Sequence, residues 1–139
     1  MIVRCKLSYP TEEQIARLGP EFFRRRTFGI EPGEEYVVLG LTVDVGSRHM
    51  GLGPWVQIYT RKHVVHAITF VPLCLFEVTD ARVSQHWEVR FSEGGTAVTL
   101  WPPSFYRPYY HDDLSEDMPE AVADFERVVK LLEDEARAG

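Results

Sequence analysis

Cysteine is scarce in this sequence: Cys5 and Cys74 are the only two in 139 residues. They lie far apart and outside any metal-ligand spacing, whereas a disulfide-framed secreted domain carries more. Apolar neighbours flank both, so each reads as a buried free thiol. Long hydrophobic runs are missing too, and no stretch approaches the ~20 apolar residues that span a bilayer. The opening Met-Ile-Val-Arg-Cys-Lys-Leu is broken by charge before a secretory core could form, which predicts a cytoplasmic chain without a membrane anchor. Basic residues are outnumbered: 15 Lys and Arg against 21 Asp and Glu leave a net charge of −6. That balance speaks against nucleic acid or an anionic membrane as partner and favours a basic protein.

Reaction-bearing motifs are absent as well. Ser47, Ser84, Ser92, Ser104 and Ser115 all lack the Gly-x-Ser-x-Gly setting of a hydrolase elbow. The glycines between Gly46 and Gly53 match neither a phosphate loop nor a dinucleotide fingerprint. His63-Val-Val-His66 sits in β-branched company, where residues three apart point to opposite faces, and no third ligand accompanies the pair. No metal and no cofactor is expected. Cys74 lies within Pro-Leu-Cys-Leu-Phe, a setting that raises a thiol's pKa and dulls it. Arg24-Arg25-Arg26 reads as a solvated face or as internal salt-bridge partners.

What the chain does have is apolar content, 45% of its residues, enough for one core and one domain over 1–139. Thr11-Glu-Glu-Gln14 is a capping box that opens a short helix stopped by Gly19-Pro20. Val37 to Val45 alternates with period two and predicts a strand; Trp55–Thr60, Val64–Val71, Gln85–Ser92 and Thr96–Trp101 predict four more, with Leu73–Val78 extended. Glu93-Gly94-Gly95-Thr96 predicts a tight hairpin. Met118, Val122, Phe125, Val129, Leu132 and Ala136 form one stripe and predict a helix from about Pro119 to Arg137. The expected fold is α+β: a small, strongly bent antiparallel sheet or a partly open SH3-like or OB-like barrel of about five strands, with a helix at each end. Leu39, Leu41, Trp87, Val89 and Phe125 are its expected core.

Trp101 to Asp117 is the most distinctive stretch. It mixes aromatic, proline and acidic residues without helical or strand period. Aromatic side chains in a loop either dock on the core or meet a partner. Phe105, Tyr106, Tyr109, Tyr110, His111, Asp112, Asp113 and Glu116 are therefore the candidate partner-binding residues, aromatics supplying area and carboxylates orientation. The same stretch supports an alternative: His111, Asp112 and Asp113 as acid–base or metal-binding groups of a small enzyme acting on a small molecule. A third reading is a structural or regulatory module that dimerises through this loop or the final helix.

The run Val71-Pro-Leu-Cys-Leu-Phe-Glu-Val-Thr-Asp80, then Ser84–Trp87, then Trp101-Pro with Phe105 and Tyr109-Tyr110, resembles a group of small bacterial proteins, some of them immunity proteins of polymorphic-toxin systems. The resemblance runs from Tyr36 onward and brings no catalytic residues; the first thirty-odd residues lie outside it. It implies a non-enzymatic inhibitor that fills the basic cleft of a toxin with carboxylates.

Overall fold

The computed structural model describes residues 1–18, 28–44, 53–62 and 66–139. The expected helix stop at Gly19-Pro20, the Arg24–Arg26 run, most of the Gly46–Gly53 loop and His63 lie outside the described residues.

The chain runs β1 (Ile2–Cys5), α1 (Glu12–Leu18), β2 (Glu35–Val37), β3 (Gly40–Asp44), β4 (Gly53–Ile58), β5 (Thr69–Pro72), β6 (Phe76–Asp80), β7 (Glu88–Phe91), β8 (Ala97–Trp101), α2 (Tyr110–Ser115) and α3 (Pro119–Arg137). The fold is α+β and antiparallel, as expected. The single bent sheet or barrel of about five strands is corrected: the strands form two sheets, β2-β1-β6 and β5-β4-β3-β8-β7, and neither closes on itself. β1 was not foreseen. Its Val3 and Cys5 turn inward while Arg4 stays out and pairs with Glu35.

The expected strand Val37–Val45 is divided because the chain changes sheets in its middle. The Val38 N–H donates to Met1 O at 3.0 Å, in the first sheet, and the Leu39 N–H donates to Gln57 O at 2.8 Å, in the second. Two consecutive side chains are therefore both buried: Val38 joins a core of Val3, Tyr36, Trp55, Ile58 and Leu75, and Leu39 joins a core of Phe105, Tyr110, Leu114, Phe125 and Leu132. Gly40 follows at a close approach, where a Cβ would lie 2.9 Å from the Trp101 ring and 3.2 Å from Gln57 Nε2.

Local signals elsewhere act as physical chemistry dictates. The Thr11 N–H donates to Gln14 Oε1 at 2.9 Å and the Gln14 N–H to Thr11 Oγ1 at 3.2 Å, the reciprocal capping box of α1. β7 and β8 pair through the expected hairpin, with Gly95 at φ +68°. Leu73–Leu75, expected to be extended, is instead a 3₁₀ turn after Pro72.

α3 spans Pro119–Arg137 and buries Phe125, Val128, Val129, Leu132 and Ala136. Each large apolar side chain removed from water contributes about 1.5–3 kcal/mol, which makes this docking a main source of stability. Its far end is locked to the 80–85 turn: Glu135 accepts from the Ser84 hydroxyl at 2.5 Å and from the Gln85 N–H at 2.8 Å.

The expected core is met at Leu39 and Phe125, while Leu41 and Trp87 are half-buried. Val89 is corrected: it is 50% exposed, and Phe91 beside it 73%. Alternation sorts residues between two faces of a strand; it does not place anything against a face, and β7 is the outermost strand of its sheet.

Among the described residues no helix is long and apolar enough to cross a membrane.

Candidate functional site

Pro102 and Pro103 end β8, since neither ring nitrogen can donate to the ladder. A 3₁₀ turn, Pro103–Tyr106, then carries the chain off the sheet with Phe105 buried. Tyr106 folds back over the β7–β8 pair. Its ring stacks on Trp101 at 4.9 Å and its hydroxyl donates to Glu88 O at 2.8 Å, with the Arg90 guanidinium above the ring.

Tyr109 and Tyr110 are neighbours with opposite fates. Tyr109 has φ +62° and its side chain is 76% exposed. This left-handed turn re-aims the chain into α2, so Tyr110 points inward, stacks on Phe105 at 5.3 Å and donates its hydroxyl to Asp124 at 3.0 Å. Burial and that bond raise the Tyr110 pKa above its ordinary value. Burial alone would raise the Asp124 carboxyl; bonds from Arg127, Ser104 and Tyr110 outweigh it and hold the group below its ordinary range.

His111 also faces inward, among Phe70, Trp101 and Phe105 at 5.7–5.8 Å. Burial pushes its pKa below 6.5, with the nearby Asp112 charge opposing. Its Nε2 lies 3.4 Å from Gln57 Oε1, and the other end of that amide, Gln57 Nε2, is buried with no hydrogen-bond partner. An orphaned buried donor costs about 1–3 kcal/mol. No hydrogen bond joins His111 to Asp112 or Asp113 among the described residues, so the acid–base trio gathers around no common point.

The outer side of α2 is different in kind. The helix ends in a Schellman motif: the Met118 N–H donates to Asp113 O at 2.9 Å and the Asp117 N–H to Leu114 O at 3.1 Å, with Asp117 at φ +56°. Asp112, Glu116, Asp117, Met118 and Glu120 are exposed and Asp113 is half-buried. His66 reaches Asp117 at 3.6 Å and Glu126 at 3.2 Å. Among the described residues no Lys or Arg pairs with Asp112, Asp113, Glu116, Asp117 or Glu120, whereas several carboxylates elsewhere are paired, as in Arg4–Glu35, Arg61–Glu133, Arg82–Asp80 and Arg127–Asp124.

The eight candidate residues thus divide. Phe105 and Tyr110 are buried core side chains, and His111 is half-buried and turned toward that core. Tyr106 is half-buried and spent on the hairpin. Tyr109, Asp112, Asp113 and Glu116 stay together at the surface. Gln57, not singled out from the sequence, carries a detectable signal: an amide in the apolar strand Trp-Val-Gln-Ile. Among the described residues no group of three His, Cys, Asp or Glu side chains is placed to hold a metal ion. Compared with family models, curated proteins and solved structures, the chain matches none.

Proposed function

We propose that this is a non-enzymatic binding protein that meets a basic protein through the outer end of α2. Tyr109 supplies contact area, and Asp112, Asp113, Glu116 and Asp117 supply the field. The observation that carries this reading is a local excess of carboxylates unneutralised by Lys or Arg, gathered around a tyrosine with its ring in water. Like charges side by side cost stability on a helix, and an opposite charge arriving from outside would offset that cost. Desolvating Tyr109 gives the central anchor and the carboxylates accelerate encounter. An immunity-type inhibitor that occludes the basic, nucleic-acid-reading cleft of a bacterial toxin fits this chemistry, and the resemblance from Tyr36 onward points the same way.

The test is protection. Cells expressing the protein are challenged with the toxin encoded beside its gene, and binding of the two purified proteins is followed at rising salt. Wild type protects, and association slows as salt screens the carboxylates. Full protection by a folded Tyr109→Ala, Asp112→Asn, Glu116→Gln triple variant would sink the reading.

A further inference from the structure

A second concavity lies apart from the outer end of α2. Between the 85–87 turn, the 102–107 segment and α3 runs a cleft of about 510 Å³, within the size range of small-molecule sites. Trp87, Pro103, Val128 and Leu131 give its lining an apolar part, beside the polar Gln85 and Ser104. The Trp87 indole N–H donates to Leu39 O at 2.9 Å, which pins that ring, and Pro103 and Leu131 of α3 also line the cleft.

One end of the cleft is cationic. Arg127 is held by Asp124 at 2.8 Å, and Asp124 is itself fixed by Tyr110. Arg107 also lines the cleft, and among the described residues no carboxylate pairs with it. Arg107 and Arg127 both line the cleft. Arg127 and Asp124 cancel, so among the described residues Arg107 leaves one positive charge unanswered.

We propose that this cleft binds a small organic monocarboxylate with an apolar body. The guanidinium fork of Arg107 takes the carboxylate, a planar, bidentate match. The apolar body lies between Trp87, Pro103 and Leu131. A single free charge suits a monoanion; a phosphate dianion would leave the cleft net negative. Neither Tyr109 nor the α2 carboxylates take part, so this site stands or falls independently of the protein–protein reading.

The probe is 4-phenylbutyrate, with 4-phenylbutyramide as its uncharged match, titrated into the full chain and followed by amide and indole NMR. The carboxylate should shift the Trp87 indole signal saturably, and the amide should bind about tenfold more weakly. Arg107→Gln should lower carboxylate affinity to the level of the amide, and Leu131→Trp, at a partly exposed position, should fill the cleft and abolish both. Equal binding of acid and amide, unchanged affinity in folded Arg107→Gln, or no saturable shift at Trp87 would each overturn the assignment.

Discussion

The inner and outer sides of the segment from Phe105 to Met118 share one stretch of chain and obey different physics. On the inner side Phe105, Tyr110 and Leu114 are buried with Phe125 of α3, Phe105 stacks on Tyr110, and His111 is half-buried beside them. On the outer side Tyr109, Asp112 and Glu116 touch little of the protein. The boundary is one peptide wide, at the left-handed Tyr109. Adjacent aromatic residues therefore cannot be grouped by proximity in the sequence: one is structure and the next is surface.

The largest expected effect exploits that boundary. Tyr110→Ala should destabilise the protein by about 3–5 kcal/mol, as truncation of large buried aromatics does, while Tyr109→Ala should stay within ~0.5 kcal/mol. Tyr110→Phe, which keeps the ring and loses only the bond to Asp124, should cost about 1.5–3 kcal/mol. Urea unfolding of the three variants measures all of this. Similar losses for Tyr109→Ala and Tyr110→Ala would erase the distinction between the two sides.

Next comes pH. His111 has a folded pKa below its unfolded value of 6.5 because burial disfavours the cation. As pH falls through that value the unfolded chain binds a proton that the folded one refuses, so stability declines toward acid. The carboxylates held below their ordinary range, Asp124 and Glu135 among them, start from unfolded values of 3.8 and 4.5 and lose their contribution only as pH drops further. The stretch from 6.5 down to the carboxylate range is therefore where the His111 contribution should be lost. Urea midpoints should fall across it in wild type and stay flat in His111→Leu. A flat wild-type profile would place the imidazole in water.

Much of this was legible in the sequence, for identifiable reasons. α3 announces itself because its stripe and its terminating signals agree, and Thr11 with Gln14 make a local bond that needs no tertiary context. The division of the Val37–Val45 run was hidden because β2 and β3 present an ordinary alternation, and only the partners, Met1 and Gln57, reveal a change of sheet. Val89 and Phe91 carry the same pattern as buried residues, and nothing in a pattern reports an uncovered face. α2 escaped notice because Pro108, Asp112 and Asp113 read as loop, although Tyr110 and Leu114 at a spacing of four were there to be seen. The candidate residues followed suit: their aromatic and acidic character was readable, but the burial of Phe105 and Tyr110 depended on the turn at Tyr109.

That turn gives the third prediction. A non-glycine residue in the left-handed region costs roughly 1–2 kcal/mol, and a bulky side chain is an unusual occupant. Tyr109→Gly should raise stability by about 1 kcal/mol. It should also weaken the basic partner's binding, because the ring goes. A gain in stability with binding intact would mean that Tyr109 marks no interface.

The smallest expected effect on stability is at the acidic cluster, and there the sign matters more than the size. Asp112 and Glu116 lie one turn apart on α2, a like-charge pair that costs a few tenths of a kcal/mol. Neutralising both as Asp112→Asn, Glu116→Gln removes that repulsion and no ion pair, so the unfolding midpoint should hold or rise slightly. If these carboxylates steer a basic partner, the same variant should slow association several-fold at low salt and converge with wild type at high salt, where screening has already removed the long-range attraction. Dissociation should change less. A clear loss of stability would show that the carboxylates hold the fold together, and an association rate indifferent to both salt and charge would leave the outer side of α2 without a partner to steer.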